Sequence, residues 1–319
     1  MDRRKKAVAI LNPKAAGGRT ARRWPGIAAL LQQRIGVVEE CRTERAGHAT
    51  EITRRALCEG CNLIISIGGD GTLNEVVNGF LNSEDRPINP NARLGLIPIG
   101  TGGDFQRTVA IPSEPAKAVE ILVSGKPLKL DLGKARFTGH DAEPVTRYFI
   151  NLLSFGMGGD VSVRAKNLLS PLSGQLAFFY ATFVVFFRYG GKTVRLTLDG
   201  VPQPEAFTIT NVAIGNGCYH GGGMHPCPRA VLDDGLLEVT AIDRLNMFEL
   251  VRDIKTLYSD DVYSHPKVRH FRAKHIRAES DEITRIEVDG ESLGRLPLEV
   301  EILPGRIPFL VDTASPLLG

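Results

Sequence analysis

The sequence predicts an α/β protein with two domains: an N-terminal doubly wound parallel sheet over residues 1–127 and a mainly antiparallel β domain over residues 128–319. Up to residue 127, short apolar runs alternate with helix-like segments. After that point the runs stay short and lie between Gly, Pro and Asp residues. With 319 residues, 43% of them hydrophobic, the chain can form two separate cores.

Four strands and four helices alternate in the first domain. The Leu63–Ile67 run is short and β-branched, as is typical of a buried parallel strand. The expected strands are Val8–Leu11, Val37–Cys41, Leu63–Ile67 and Leu94–Ile99. The expected helices are Ala21–Gln33, Ala49–Cys58, Leu73–Leu81 and Pro115–Val123.

The second domain is expected to be an antiparallel sandwich or barrel, interrupted by helices near Val161–Leu169, Gln175–Arg188 and Met247–Tyr258. Its expected strands are Leu128–Ala135, Arg147–Ser154, Val194–Leu198, Phe207–Ile214, Leu236–Ile242, His275–Glu279, Thr284–Val288 and Leu298–Leu303. The junction near Lys126-Pro127 is short. We therefore expect the active site in the cleft between two domains that can close, and the last residues could pack back on the first domain.

The sequence Gly68-Gly69-Asp70-Gly71-Thr72 joins an apolar strand to a helix start. Glycines are expected to let this turn adopt positive φ without Cβ obstruction, and the free N–H groups of the next helix would face an anion. A carboxylate such as Asp70 repels phosphate unless a cation lies between them. The turn therefore predicts a Mg²⁺-nucleotide site.

Two familiar nucleotide motifs are absent. The only Gly-Lys-Thr, at residues 191–193, has Phe186 where a P-loop needs its first glycine. A Gly-x-Gly-x-x-Gly fingerprint fails because the sixth position is Asn74 after Gly69 and Phe105 after Gly100.

Two further glycine-rich turns follow predicted strands. One is Gly100-Thr101-Gly102-Gly103-Asp104, and the other is residues 12–18, where Lys14 and the adjoining Arg19 are available as counter-charges for phosphate. Parallel strands end at the same edge of a sheet, where open α/β sheets bind their ligands. The three turns therefore predict one phosphate-binding edge.

Composition excludes several classes of protein. A net charge of +3 and a pI near 8.6 are too mild to indicate nucleic-acid binding, although they suit contact with an anionic lipid surface. The alternating stretch Arg269–Arg277 predicts an exposed strand face rather than a nucleic-acid reader.

No signal peptide is recognisable after Asp2, so we expect a cytoplasmic protein, peripheral at the membrane. The apolar stretch Leu176–Phe187 is too short to span a bilayer and predicts a core helix or one that faces lipid.

The five cysteines, an odd number, are expected to be reduced thiols. Cys218, His220, His225 and Cys227 lie close together in the sequence, but their spacing matches no zinc pattern, so a structural loop is the favoured interpretation.

Four ordered motifs over nearly the whole chain resemble the diacylglycerol kinase catalytic-domain family, which includes bacterial lipid kinases and sphingosine kinases. They are the Gly-Gly-Asp-Gly-Thr turn at Gly68, the Asn12-Pro13 turn, residues 98–105 and Asp289-Gly290-Glu291. The resemblance implies ATP bound between a nucleotide domain and a β-sandwich domain. It also implies phosphoryl transfer to a lipid hydroxyl, most simply that of diacylglycerol or a related glycerolipid.

The resemblance carries over residue by residue. The positions that match nucleotide contacts are Asn12, Thr43, Gly68, Gly69, Asp70, Gly71, Thr72, Asn74, Thr101 and Asp104. Asp70, Asp104 and Asp131 match the acidic network that holds the catalytic Mg²⁺ through water. Asp289 and Glu291 match the segment that supplies the general base, with Glu291 favoured and the reverse order left open. A second, structural Mg²⁺ would use the Asp234 carboxylate and the backbone carbonyls of Val231 and Leu236.

One position departs from the family pattern. The family usually has an asparagine where this chain has Gly103, so one amide that could hydrogen-bond nucleotide or metal-bound water is missing. Two alternative functions stay open: a kinase of a soluble substrate, since NAD kinases share the Gly-Gly-Asp-Gly turn, and a nucleotide sensor, which only Gly103 motivates. Oligomeric state is also open, with a homodimer among the alternatives.

Overall fold

The computed structural model describes residues 7–100, 102–167, 184–186, 189–315 and 317. The chain forms two compact units. Unit 1 is Met1–Asp131 together with Pro304–Gly319, and unit 2 is Leu132–Leu303. The chain therefore leaves unit 1 after residue 131 and returns to it at residue 304.

Unit 1 contains a parallel sheet in the order β4-β3-β1-β2. Its strands are β1 (Ala7–Leu11), β2 (Val38–Arg42), β3 (Leu63–Gly68) and β4 (Arg93–Pro98). Its helices are α1 (Ala15–Arg34), α2 (His48–Cys58), α3 (Asp70–Val77), α4 (Asp104–Thr108) and α5 (Pro115–Ser124). Near the C-terminus Phe309 pairs in parallel with Leu94 of β4, which extends the sheet by one strand.

The central strands of unit 1 are buried almost throughout, as their apolar, β-branched sequences predict. Leu11 lies opposite Arg42 and Ile67, and Ile67 lies opposite Ile97. The four strands therefore end at one level, and the turns that follow them begin along the same edge.

Unit 2 is built from antiparallel strands, to which β5 and β15 contribute only part of their length. The strands are β5 (Lys126–Gly139), β6 (Pro144–Phe149), β7 (Leu152–Gly156), β8 (Lys192–Leu198), β9 (Val201–Pro202), β10 (Phe207–Gly215), β11 (Leu237–Asp243), β12 (Val268–Ala273), β13 (His275–Glu279), β14 (Arg285–Val288) and β15 (Glu291–Val311). Within the described residues its helices include α6 (Met157–Asn167) and α7 (Met247–Asp253), and two 3₁₀ turns cover Ile254–Tyr258 and Asp260–Ser264.

The strand pairings of unit 2 close into a ring. Strand β10 pairs with β7, β7 with β14, β14 with β15, β15 with β13, β13 with β8, and β8 again with β10. The side chains that these strands bury form one apolar core, which includes Phe149, Phe155 and Ile276. The predicted fold class, an α/β domain followed by a mainly antiparallel β domain, is confirmed.

Some elements differ from the sequence prediction. Helix α3 begins at Asp70 rather than Leu73, because the glycine turn itself forms the first helical turn. The predicted strand Arg147–Ser154 is two strands, since the chain changes partner between β6 and β7. Most of the predicted helix Gln175–Arg188 and of the apolar stretch 176–187 lies outside the described residues. Among the helices that are described, none has the length and apolar composition needed to cross a bilayer.

Candidate active site

The Gly-Gly-Asp-Gly-Thr turn forms the N-terminus of helix α3. Gly69 is the residue before the helix, and the first intrahelical bond runs from the Leu73 N–H to its carbonyl. The N–H groups of residues 70–72 precede that bond and have no intrahelical acceptor, which makes this turn suitable for binding an anion.

The prediction of positive φ in this turn is wrong. Gly69 has φ −101°, and neither Gly68 nor Gly71 has a positive φ. The glycines at positions 68 and 69 are needed instead for close packing. A Cβ on Gly68 would lie 2.6 Å from Thr72 Oγ1, and a Cβ on Gly69 would lie 3.3 Å from the Cα of Gly100.

Two glycine turns meet in unit 1. The Ile99 N–H donates to the Gly68 carbonyl at 2.8 Å, and a Cβ on Gly100 would lie 2.8 Å from the Cα of Gly69. The turns after β3 and β4 are therefore in backbone contact, as their common sheet edge predicts.

Asp70 joins the two turns through its carboxylate, which accepts the N–H groups of Asp104 at 3.2 Å and Phe105 at 3.1 Å. Asp104 is buried, and its Oδ1 pairs with Arg107 Nη1 at 2.9 Å. The Cβ position of Gly102 lies 3.1 Å from Asp70 Oδ2 and 3.9 Å from Asp104 Oδ2. The two carboxylates therefore approach one point, and a cation placed there would reduce the repulsion between them.

The residues of this point fit a Mg²⁺ ion held through water. No three described His, Cys, Asp or Glu side chains come close enough together to bind a metal directly. An ion beside Asp70 and Asp104 would therefore take its other ligands from water and from nucleotide phosphates, as Mg²⁺ commonly does.

Asp131, Asn74 and Gly103 are also among the described residues. Asp131 is buried and accepts the Gly305 N–H at 2.7 Å. Asn74 is buried within α3, where its Oδ1 accepts the Asn78 amide at 3.2 Å. Thr101 lies outside the described residues. Gly103 precedes α4 with φ +64°, a conformation that asparagine tolerates better than most residues.

Asn12 and Thr43 begin the turns after β1 and β2. The Thr43 N–H donates to the Leu11 carbonyl at 2.9 Å, and Asn12 Oδ1 accepts the Lys14 N–H at 3.0 Å. Both residues therefore lie at the carboxyl edge of the sheet. Lys14, on the turn after β1, and Arg19, near the start of α1, are both exposed.

Asp289 and Gly290 form the two-residue turn between β14 and β15. Both have positive φ, 44° and 89°, as a type I′ hairpin turn requires. The buried Asp289 carboxylate accepts three backbone N–H groups, those of Ile150 (3.2 Å), Asn151 (3.3 Å) and Leu152 (2.8 Å). Asp289 therefore anchors the turn.

Glu291 differs from Asp289 in its surroundings. It begins β15 opposite Val288 and is partly exposed. Its carboxylate makes no hydrogen bond or ion pair within the described part of the chain. Of the two acidic residues, Glu291 is therefore the one whose carboxylate is available to accept a proton.

Unit 2 also contains an apolar cavity of about 90 Å³ that the sequence analysis did not predict. Its wall includes Met157, Val161, Met224, Leu250, Ile254 and Leu257. These residues come from α6, α7, a 3₁₀ turn and the loop before β11, so no single periodic pattern predicted them. His220 also lines the cavity, and its Nε2 lies 3.3 Å from the buried Glu287 carboxylate.

The Cys218–Cys227 segment places its side chains in separate contacts. His220 pairs with Glu287, while the His225 ring stacks on Tyr219 with centroids 4.2 Å apart. Cys227 is buried and lies 3.7 Å from Thr240 Oγ1. The side chains of this segment therefore contact different partners.

Comparison with known proteins gives the family. The diacylglycerol kinase catalytic domain matches residues 6–135, and the YegS C-terminal NAD kinase beta sandwich-like domain matches residues 151–311. A diacylglycerol kinase of Staphylococcus carnosus (strain TM300) is 31% identical over 92% of this chain and 91% of its own. The chain belongs to the diacylglycerol kinase family. A diacylglycerol kinase of Staphylococcus aureus (strain MRSA252) is 33% identical over 92% of this chain and 88% of its own.

Two solved structures share the fold of this diacylglycerol kinase family member. A diacylglycerol kinase from Bacillus anthracis str. Sterne matches with a TM-score of 0.71 at 24% identity, over 99% of this chain and 100% of that one. Yeast NADH kinase complexed with NADH matches with a TM-score of 0.57 at 13% identity, over 99% of this chain and 86% of that one. The fold is therefore shared by a diacylglycerol kinase and an NADH kinase.

Proposed function

We propose that the protein is an ATP- and Mg²⁺-dependent lipid kinase. It transfers the γ-phosphoryl group of ATP to a hydroxyl of diacylglycerol or a related glycerolipid. The observation that carries the proposal is the contact between the Gly69 and Gly100 turns, with the Asp70 and Asp104 carboxylates approaching one point beside them. Membership of a kinase family supports phosphoryl transfer to an alcohol.

We assign nucleotide binding to the carboxyl edge of the unit 1 sheet. The N–H groups at the start of α3 would donate to phosphate oxygens, and the exposed Lys14 and Arg19 would add positive charge. Asp70, Asp104 and Asp131 would hold Mg²⁺ through water. When bound, this ion neutralises the charge that develops on the phosphoryl oxygens. Asp70 also orders the Asp104 turn, so the chain itself fixes the position of both carboxylates.

The lipid hydroxyl must lose a proton during the transfer. Glu291 is our candidate for the general base because its carboxylate has no partner within the described residues. Asp289 would position Glu291 by fixing the hairpin turn on which it lies. A phosphoryl transfer needs little other chemistry from the protein beyond orientation and electrostatic stabilisation.

The apolar cavity of unit 2 is the candidate site for the acyl part of the substrate. Its wall is formed mainly by aliphatic side chains, with His220 and Asn211 among the few polar groups. A hydrocarbon chain gains free energy when it enters such a cavity, at about 0.8 kcal/mol for each buried CH₂ group. Because the substrate resides in a bilayer, we also propose peripheral contact with the membrane, which the +3 charge favours.

The decisive experiment offers purified protein labelled ATP and Mg²⁺ with micellar diacylglycerol, phosphatidylglycerol or sphingosine, and separately with soluble NAD. We expect label in diacylglycerol or another glycerolipid. Label in NAD alone, or binding of ATP without transfer to any acceptor, would contradict the proposal.

Two variants test the assigned residues in the same assay. Glu291→Ala should abolish turnover while a fluorescent ATP analogue still binds, and Asp70→Asn should lose Mg²⁺-dependent activity. Turnover of Glu291→Ala close to that of the wild-type protein would remove this residue from the role of base. An unchanged Mg²⁺ requirement in Asp70→Asn would remove Asp70 from the metal site.

A further inference from the structure

The family resemblance places a structural Mg²⁺ ion in the loop before β11, on Asp234 and two backbone carbonyls. The structure surrounds the Asp234 carboxylate differently. Its Oδ1 accepts the Leu236 N–H at 3.0 Å, and its Oδ2 forms an ion pair with Nη2 of Arg272. Both oxygens of the expected metal ligand are therefore already engaged.

The Arg272 guanidinium also lies beside a second carboxylate, in an ion pair whose Nε–H is not aligned for a hydrogen bond. Its Nε lies 2.8 Å from Glu238 Oε1, and Glu238 is 2% exposed. Glu238 and Arg272 lie directly opposite each other in the pairing of β11 with β12. The register of the two strands therefore fixes the guanidinium between the Asp234 and Glu238 carboxylates.

Glu238 has further partners on the same side. Its Oε2 forms an ion pair with His270 and lies 3.3 Å from the Tyr263 hydroxyl, and the Tyr263 and His270 rings stack with centroids 4.0 Å apart. The carboxylate thus lies in a packed set of polar groups. Without Arg272, the negative charge of the buried Glu238 carboxylate would have fewer positive groups beside it to compensate for its burial.

We infer that the Arg272 guanidinium replaces the structural divalent ion of this loop, bridging Asp234 to Glu238, so that unit 2 folds and holds residues 231–236 without Mg²⁺. An arginine keeps its charge at all physiological pH values and offers five N–H donors in a fixed plane, which suits a bridge between two carboxylates. Mg²⁺ sheds its water reluctantly and would have to displace this pair to reach Asp234.

The inference separates two roles of Mg²⁺. Any requirement for the ion should come from the nucleotide site of unit 1, and the stability of the nucleotide-free protein should be independent of it. This inference goes beyond the proposed function and does not depend on it, because its readout is stability and metal binding.

The test measures the melting temperature of the full chain without nucleotide, in Mg²⁺ and in EDTA. The wild-type protein should melt at the same temperature in both buffers. Arg272→Ala should melt lower by roughly 5 °C or more in EDTA, since a buried carboxylate loses its partner. Arg269→Ala is the matched control on the same strand, because its partner Asp243 is more accessible than Glu238.

Two results would overturn the inference. One is a rise in the wild-type melting temperature on adding Mg²⁺ that disappears in Asp234→Ala. The other is an Arg272→Ala variant as stable as Arg269→Ala. If Arg272→Ala fails to fold, calorimetric titration of Mg²⁺ into the wild-type and Asp234→Ala proteins still decides: equal binding supports the inference, and a site lost with Asp234 overturns it.

Discussion

Gly69 and Gly100 belong to different turns of unit 1, yet a Cβ built on Gly100 would lie only 2.8 Å from the Cα of Gly69. Backbone atoms cannot move aside as the end of a side chain can. The two glycine-rich turns therefore fit together only because neither residue has a side chain, although φ at Gly69 is negative.

This approach predicts that Gly100→Ala disrupts nucleotide binding. The added methyl group must push the two turns apart, and a displacement of about 1 Å in such a site can lower the rate by about 100-fold. The measurement is the KM for ATP together with the affinity for an ATP analogue. Gly26→Ala is the matched control, because its Cβ would meet nothing within 4 Å and the residue lies in helix α1. Equal ATP affinity in the two variants would contradict the prediction.

Restoring the family asparagine at Gly103 isolates the effect of the missing amide. A side chain at this position meets the end of Gln106, with Oε1 at 2.8 Å from the Cβ, and must adopt φ near +64°. Gly103→Ala meets the same contact but adopts this φ less readily than Gly103→Asn, so the melting temperatures of both variants are measured to separate backbone strain from the effect of the amide. We expect kcat/KM for ATP to be roughly threefold to tenfold higher in Gly103→Asn, the equivalent of one hydrogen bond. Equal values would show that the amide contributes nothing here.

Asp289 and Glu291 should respond to substitution in opposite ways. Asp289→Asn keeps a residue that tolerates positive φ but presents an NH₂ group to backbone N–H donors, so the free energy of unfolding should fall by about 1–3 kcal/mol. Glu291→Gln should change that free energy by less than about 0.5 kcal/mol while turnover is lost. Chemical denaturation and the kinase assay measure the two effects. A strong loss of stability in Glu291→Gln would assign the residue a structural role instead.

Filling the apolar cavity should weaken lipid use without affecting nucleotide. Met224 lines the cavity and is partly exposed, so Met224→Trp can place its larger side chain in that space. We expect the KM for diacylglycerol to rise by roughly tenfold with an unchanged KM for ATP, because the acyl chain loses buried apolar contact. Val201→Trp is the control, since Val201 is exposed on β9 away from the cavity wall. The same lipid KM in both variants would exclude the cavity as the acyl site.

The thiols should differ in reactivity. Cys58 is exposed, whereas burial raises the pKa of Cys61, raises that of Cys218 to about 11 and raises that of Cys227 further. A thiol whose pKa is raised stays protonated and unreactive at neutral pH. We expect Cys58 to react first with Ellman's reagent in the native protein, and all five cysteines to react after unfolding. Rapid reaction of Cys218 or Cys227 in the native protein would contradict this.

The order of elements was readable from the sequence because it depends on local patterns. Short apolar runs alternating with helical segments predicted the parallel sheet of unit 1, and glycine-rich turns after β1, β3 and β4 followed from residue type alone. The Asp289-Gly290 turn was equally local, since two adjacent residues with positive φ suit Asp-Gly. The start of α3 was misplaced because a glycine turn and the first turn of a helix look alike in sequence.

The sequence by itself therefore determined the fold class, the position of the glycine-rich turns and the family motifs. Tertiary structure alone decided which of these residues come into contact. Gly69 packs against Gly100, and the Asp70 carboxylate accepts hydrogen bonds from the Asp104 turn. Glu291 follows the anchored Asp289 with its own carboxylate unbonded within the described residues, and Arg272 lies between Asp234 and Glu238. Most of these contacts join residues that lie far apart along the chain, so no local pattern specifies them. They arise from the register of strands and the packing of turns, which exist only once the chain has folded.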